Sequence, residues 1–177
     1  MRFAYDRPKA GELAAQLVNL AGGEIPMLKL LKLMYLVDRT SLIETGFPVT
    51  GDTIVAMGNG PVLSKTYDHL KPTGELPFVA SEPGNVRLQG SPPADGHLSD
   101  YEIKLARRIF EQFGAMSGQQ LIDYLHRTVP EWKSPPVGSS ALIDPVDILR
   151  AAGKSESEID AIAEQAEYFH VVESRTA

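Results

Sequence analysis

The apolar positions of the chain recur with helical spacing over most of its length. A first helix is predicted from Pro8, and its apolar face continues until Gly22 and Gly23 stop it. A second is predicted from about Pro26 to Thr45, with Gly46 as a left-handed stop. Apolar residues cover nearly the whole circumference of this second helix, which is typical of a central, buried helix. We therefore expect a core organised around it.

One narrow polar stripe interrupts the apolar second helix. At about 100° per residue, Lys29, Lys32 and Arg39 fall on this stripe, together with Thr40. Two interpretations stay open. The stripe is the solvated side of the helix, as charged stripes usually are, or it is half of a docking site for an acidic partner.

Short extended segments follow. Thr53–Met57 is predicted to be a strand, and the residues from Gly58 turn the chain into a helix that Pro61 opens and that runs to Leu70. Two more strands are predicted at Leu76–Ala80 and Val86–Gln89, joined by a type II turn with proline second and glycine third.

The second half of the chain reads as four helices with recognisable starts. Three starts fit the capping box, in which two side chains satisfy free backbone N–H groups, and one is an aspartate–proline pair. They are Ser99 with Glu102, Ser117 with Gln120, Asp144 with Pro145, and Ser155 with Glu158. The last helix is expected from about Glu156 to His170, and residues 90–96 and 134–140 are predicted to be loops.

These elements predict an α+β fold that is mainly α, with a central buried helix and a small antiparallel β-sheet. Residues 1–133 are expected to form the core domain. Residues 134–177 are expected to be a C-terminal helical extension packed on that domain.

Composition narrows the function classes. The chain has 177 residues, a net charge of −6 and no cysteine. Disulfide frameworks and thiolate metal sites are excluded, and a reducing compartment such as the cytoplasm is expected. Affinity for nucleic acid comes mainly from neutralising phosphates, so the negative charge disfavours nucleic acid as a partner. The most apolar run, Ile25–Val37, is too short for a membrane span and carries two lysines.

Signals of catalysis are weak. The chain lacks the nucleophile-elbow, phosphate-loop and zinc-protease motifs. Its four histidines are scattered, with no pair at a metal-binding spacing. Asp68 and His69 are a possible acid–base pair, but adjacent residues on a helix point in different directions. We expect no enzyme activity, no metal and no cofactor; an enzyme using Asp68, His69 or His126 as an acid–base group stays the least favoured alternative.

His126 and Trp132, the only tryptophan, allow two interpretations. In the first, Trp132 folds back onto the core with its N–H bound to a backbone carbonyl, and His126 caps the end of its helix. In the second, both belong to a recognition groove, since tryptophan is enriched in binding hot spots.

Several segments together resemble a known family. Lys29–Leu36 resembles the lysine–leucine–tyrosine helix of the Panacea domain, the family of SocA-like antitoxins that also includes phage-associated proteins. Gly46–Pro48 resembles its glycine-x-proline turn, and Ala56–Tyr67 its glycine–proline–valine segment with a following tyrosine. Its serine–leucine–histidine–tryptophan pattern is matched by Ser117, Leu121, His126 and Trp132. The resemblance covers roughly residues 26–133. Met57 stands where tryptophan is common and Asn59 where an aromatic residue is frequent.

The resemblance implies an antitoxin of a bacterial toxin–antitoxin system, which binds and neutralises a cognate protein toxin. Some members also deliver the toxin to a cytoplasmic ATP-dependent protease as proteolytic adaptors. Many carry DNA-binding segments, but none precedes the module here, so a stand-alone domain is expected. The alternative is a DNA-binding autoregulator of its own operon, which would rely on the basic stripe and on Arg107 and Arg108. The predicted partner-binding residues are Lys29, Lys32, Tyr35, Arg39, Met57, Asn59, Pro61, Tyr67, His126 and Trp132.

Overall fold

The computed structural model describes residues 1–90 and 96–176, with side chains described as far as Phe169. Most of the predicted loop at 90–96 lies outside the described residues. Within the described residues the chain forms seven helices and six strands, and no helix there is long and apolar enough to cross a membrane. The helices are α1 Arg7–Leu20, α2 Met27–Thr45, α3 Ser64–His69, α4 Asp100–Phe113, α5 Gly118–Thr128, α6 Pro145–Ala151 and α7 Glu156–Thr176. The strands are β1 Glu24–Pro26, β2 Ile54–Met57, β3 Gly60–Leu63, β4 Val79–Glu82, β5 Asn85–Leu88 and β6 Ala141–Leu142.

Helix α2 is the centre of the fold, as its all-round apolar pattern predicts. It packs against α1, α4, α5 and α6 and against strands of both sheets. Leu30, Leu33 and Met34 are completely buried. The helix ends at Gly46, whose φ of 85° is left-handed and whose N–H donates to the Leu42 carbonyl. The predicted central helix and its stop are confirmed.

The strands form two small antiparallel sheets, in the orders β1-β5-β4 and β3-β2-β6. The predicted hairpin of β4 and β5 is present, and Gly84 has a φ of 84° at its turn. Strand β4 begins only at Val79, later than predicted, because Phe78 has a φ of 66° that interrupts extended backbone. The mainly α fold class is confirmed, with two sheets where one was expected.

Pro61 does not open a helix, and that prediction is wrong. It lies in β3, paired with Ala56 of β2, and α3 begins three residues later at Ser64. Strand β3 is at the edge of its sheet, where the missing N–H of a proline is tolerated. Positive φ occurs at Gly60, at 94°, and not at Gly58 or Asn59, which is typical of a type I turn followed by a left-handed glycine.

The C-terminal residues join the same framework. Residues 134–140 form the predicted loop without regular structure, and β6 then pairs with β2. Helix α6 packs on α2, and α7 packs on α6 with Ile159 and Ala166 buried. Helix α7 runs to Thr176, beyond the predicted end at His170. The division of the chain at residue 133 stays a prediction.

The four helix starts predicted in the second half of the chain are confirmed by their hydrogen bonds. Ser99 and Glu102, Ser117 and Gln120, and Ser155 and Glu158 each form the reciprocal bonds of a capping box. Asp144 accepts from the N–H of Val146 at the start of α6.

Ser117→Ala is expected to lower the free energy of unfolding by about 1 kcal/mol, because the first turn of α5 loses its cap. Urea denaturation measures the change. Ser140→Ala is the control, because its exposed side chain makes no hydrogen bond among the described residues, and it is expected to stay within about 0.5 kcal/mol of the unchanged protein. Equal losses in the two variants would contradict the role given to the cap.

Candidate functional site

Two segments that are distant in sequence meet above one side of α2. They are the β2–β3 hairpin and the stretch that runs from the last turn of α5 to Trp132. Five residues define this contact, which we call the hairpin junction: Lys32, Gly60, Pro61, His126 and Trp132. All except Gly60 are among the predicted partner-binding residues.

Lys32 supplies the α2 side of the hairpin junction and is completely buried. Its Nζ donates a 2.9 Å hydrogen bond to the carbonyl of Pro61, and this bond ties the hairpin to the central helix. Burial lowers the pKa of the Lys32 ammonium to about 7. A buried lysine with a pKa near neutrality is a feature of functional sites, although structural networks produce it as well.

The rest of the basic stripe is also occupied within the molecule. Lys29 Nζ donates to the carbonyl of Gly114 at 2.5 Å, and Arg39 pairs with Glu131. The stripe is therefore neither the solvated side of α2 nor an open docking surface, and both interpretations of it are corrected. Helical periodicity gives the direction in which side chains point, whereas the covering by α5 and the hairpin is a tertiary contact.

Glu131 is the acidic counterpart of the stripe, and no sequence pattern singled it out. Its side chain has no exposed surface and accepts from Tyr35 Oη at 3.1 Å and from Arg39 Nε at 2.5 Å. Burial, followed by the negative charge of Glu131, raises the pKa of the Tyr35 phenol well above its usual value. The position next to Trp132 was the only signal that could have found it. Glu131 anchors the tryptophan-bearing segment to α2.

Gly60 is required where the hairpin meets the lysine. Its φ of 94° is left-handed, and a Cβ there would lie 3.3 Å from Lys32 Nζ and 3.7 Å from His126 Nε2. The two nitrogens thus converge on one point of the hairpin. A Cβ at residue 60 would require the Lys32 ammonium to shift by a few tenths of an ångström, and the positive φ would strain the backbone.

His126 and Trp132 form a parallel stack, with ring centroids 3.9 Å apart and planes 9° apart. Trp132 Nε1 donates to the carbonyl of Met57 at 3.1 Å, so the predicted folding back of Trp132 onto a backbone carbonyl is confirmed. The predicted capping role of His126 is wrong, because its ring turns toward the hairpin. Among the described residues its buried Nε2 has no hydrogen-bond partner. Burial, and next the charge of Lys32, lower the pKa of His126.

The ten predicted partner-binding residues differ in their access to solvent. Lys32, Tyr35 and Pro61 are buried, so their side chains do not form an outer surface in this structure. Asn59 is exposed at the hairpin turn, with Met57 and Trp132 half-buried beside it. Tyr67 is half-buried on α3, with the Lys71 ammonium 4.6 Å from its ring centre, and no hydrogen bond or ring contact among the described residues joins it to the hairpin junction.

A second buried polar cluster supports the loop that leads into the hairpin. Asp38 of α2 is completely buried and accepts from both the N–H and the hydroxyl of Thr50. Burial raises the pKa of the Asp38 carboxyl to about 7. Asp52 accepts from the N–H groups of Lys65 and Thr66 at the start of α3. No sequence pattern predicts this cluster, because aspartate side chains are usually solvated.

In the described part of the chain, no cluster of side chains suits a metal ion, and Asp68 and His69 do not form the acid–base pair that was considered. No group of three histidine, aspartate or glutamate side chains there is close enough to hold a metal ion. Asp68 binds Lys71, and the ring of His69 stacks on Tyr5 at 5.9 Å. The two therefore point apart, as neighbours on a helix do.

Comparison with known proteins yields one family. The family model described as "Antitoxin SocA-like, Panacea domain" matches residues 30–133, which is more than half of the chain. That range contains the whole hairpin junction and Glu131. No curated protein and no solved structure matches the chain significantly. The chain therefore belongs to the Panacea-domain family of SocA-like antitoxins.

Proposed function

We propose that this protein is an antitoxin that binds a cognate protein toxin in the cytoplasm and neutralises it by occupying its surface, without catalysing a reaction. The observation that carries the proposal is the family match over residues 30–133. One feature agrees with a binding role. Contacts within the hairpin junction position the hairpin backbone and the ring of Trp132.

The proposed toxin-binding surface is the exposed side of the hairpin junction. Asn59 projects from the hairpin turn, and Met57 and Trp132 flank it. Tryptophan is enriched among residues that dominate binding energies. The buried contacts of Lys32 and Glu131 hold these groups in place before the toxin arrives, which reduces the ordering cost of binding.

Of the remaining predicted residues, Lys32, Tyr35, Arg39, Pro61 and His126 support the surface from below. Lys29 binds the carbonyl of Gly114 and Tyr67 lies on α3, so these two have no part in the proposed surface. We do not propose the DNA-binding alternative, because the basic stripe that motivated it is turned inward and Arg108 pairs with Glu44 at 2.6 Å.

Co-expression with the product of the neighbouring gene tests the proposed function. We expect that product to arrest growth when expressed alone, to be harmless with this protein, and to co-purify with it. Arrest that persists in the presence of this protein, together with no complex, would overturn the proposal.

Asn59→Arg tests the proposed surface. We expect the variant to weaken toxin binding by about tenfold or more, since a hot-spot loss of about 1.4 kcal/mol has that effect. The free energy of unfolding should be unchanged because Asn59 is exposed. Asn19→Arg, an identical change at the exposed end of α1, is the control and should bind normally. Calorimetric titration measures both, and normal binding by Asn59→Arg would place the toxin elsewhere.

A finer form of the proposal is that the protein delivers its toxin to an ATP-dependent cytoplasmic protease, which rests on the family resemblance alone. It predicts faster toxin degradation in a reconstituted protease reaction when this protein is added. An unchanged or slower rate would leave sequestration as the mode of action.

A further inference from the structure

Two basic nitrogens converge on one point of the hairpin, where a single acceptor serves them. Lys32 Nζ reaches it from α2 and His126 Nε2 from α5, each within 4 Å of the Cβ position of Gly60. The Pro61 carbonyl accepts from Lys32. The buried His126 Nε2 has no hydrogen-bond partner among the described residues. The site therefore offers an acceptor to the Lys32 ammonium and none to a proton on His126 Nε2.

The charged groups around Lys32 and His126 do not offset the cost of a second proton there. On α5, Asp123 favours protonation of His126, but its effect is smaller than those of burial and of Lys32. In the segment after α5, the Glu131 carboxylate is engaged by Tyr35 and Arg39. The hairpin, residues 54–63, contains no titratable side chain.

Protonation of His126 would change the energy of its stack with Trp132. A neutral imidazole stacks on the indole while Nε2 faces the lysine. An imidazolium would gain cation–π attraction from the indole. However, it would also bury an N–H without an acceptor opposite an ammonium group, and burying an unpaired charge is strongly unfavourable. Movement of the His126 and Trp132 rings away from the hairpin relieves this, and it breaks the Trp132 bond to Met57.

We propose that the His126–Trp132 stack is a proton-sensitive latch of the toxin-binding surface: a second proton at the Lys32–His126 pair releases Trp132 from the β2–β3 hairpin and weakens toxin binding. This inference rests on the proposed function, since it regulates the same surface. It makes Lys32 and His126 positioning residues that act through Trp132. The lowered pKa of His126 agrees with the geometry, because it places the release on the acid side of neutrality.

Fluorescence of the 177-residue chain tests the latch without the toxin, because Trp132 is its only tryptophan. Between pH 8 and pH 5 we expect a one-proton transition in which emission shifts to longer wavelength. Acrylamide accessibility should rise across the same transition; it separates true release of the ring from simple quenching by imidazolium. Far-UV circular dichroism should stay constant. An unchanged emission maximum and unchanged accessibility over this range would overturn the latch.

Matched variants assign the transition to the pair. His126→Gln keeps a planar amide but takes up no proton, so the transition should disappear. Lys32→Met removes the facing cation, so the transition should move to higher pH. His69→Gln is the control, because that ring stacks on Tyr5 and not on the tryptophan, and its curve should match the unchanged protein. If His126→Gln does not fold, Lys32→Met alone tests the inference. An unchanged midpoint of its fluorescence transition would overturn the latch.

Toxin affinity links the latch to the surface. With the neighbouring gene product as probe, the Kd should increase by up to about tenfold per pH unit below the midpoint. It should be independent of pH in His126→Gln. Equal affinity at pH 7.5 and pH 5.5, with normal binding at both, would overturn the latch and leave the proposed function standing. Absence of binding at every pH would overturn the proposed function, while the fluorescence transition would still report whether the stack opens.

Discussion

Arg39→Met is expected to lower the free energy of unfolding by about 3–5 kcal/mol, the usual cost of removing one partner from a buried ion pair. The Glu131 side chain has no exposed surface, and Arg39 is its only charged partner in the described structure. Without the guanidinium, the carboxylate keeps only the hydroxyl of Tyr35. Urea denaturation at pH 7 measures the loss.

The control for this prediction is Arg150→Met. Arg150 also pairs with a glutamate, Glu156, at 2.8 Å, but its side chain is 52% exposed and that of Glu156 is 66% exposed. Exposed pairs contribute about 0–1 kcal/mol. A similar loss in the two variants would show that Glu131 is solvated in solution. A double variant, Arg39→Met with Glu131→Gln, should recover part of the stability because it leaves no unpaired carboxylate at residue 131.

Lys32→Met is expected to raise the stability of the protein at pH 7 by about 1–3 kcal/mol, because it removes a charge that is costly to bury. Loss of the Lys32 bond to Pro61 offsets about 1 kcal/mol of the gain, and the stated range includes that loss. Urea denaturation from pH 7 to pH 10 measures the difference between the variant and the unchanged protein.

The effect of Lys32 on stability depends on pH, because the folded and the unfolded chain bind its proton with different affinity. The folded pKa of Lys32 is about 7, below the ordinary value of 10.5. Between these values the unfolded chain binds more protons, so this group makes the unchanged protein more stable as pH rises. The slope is up to about 1.4 kcal/mol per pH unit. The advantage of Lys32→Met should therefore shrink toward pH 10. A constant advantage would contradict the lowered pKa.

Asp38 is expected to have the opposite effect of Lys32 on how stability changes with pH. Its folded pKa is about 7, above the ordinary value of 3.8. The folded chain binds more protons between these values, so its contribution to stability rises as pH falls from 7 toward 4. Asp38→Asn should flatten the acid side of the stability curve and leave the alkaline side unchanged. Lys32→Met should do the reverse.

The helical framework could be predicted because its signals are local. The all-round apolar pattern of α2 marked the central helix, and Gly46 marked its end. The serine caps of α4, α5 and α7 involve side chains three residues apart, so a short stretch of sequence contains the whole interaction.

The predictions for Pro61 and for the stripe on α2 failed because each depends on a tertiary contact. Pro61 is acceptable at the first turn of a helix and also at the edge of a sheet, and only its pairing with Ala56 decides between them. The stripe on α2 has the composition of a solvated face. Lys32 is nevertheless buried, because the hairpin and α5 close over it.

The sequence by itself determined the helices, their caps, the mainly α class and the family to which residues 30–133 belong. These rest on periodicity, on contacts within one helical turn and on a recurring order of motifs. The tertiary structure alone decided that Lys32 meets Pro61 across 29 residues, Trp132 meets Met57 across 75, and Arg39 meets Glu131 across 92. Such contacts leave no local pattern in the sequence, because each of these polar groups could equally be hydrogen-bonded to water. The fold brings the partners together and removes the water, and that creates the hairpin junction on which the proposed binding surface and its latch depend.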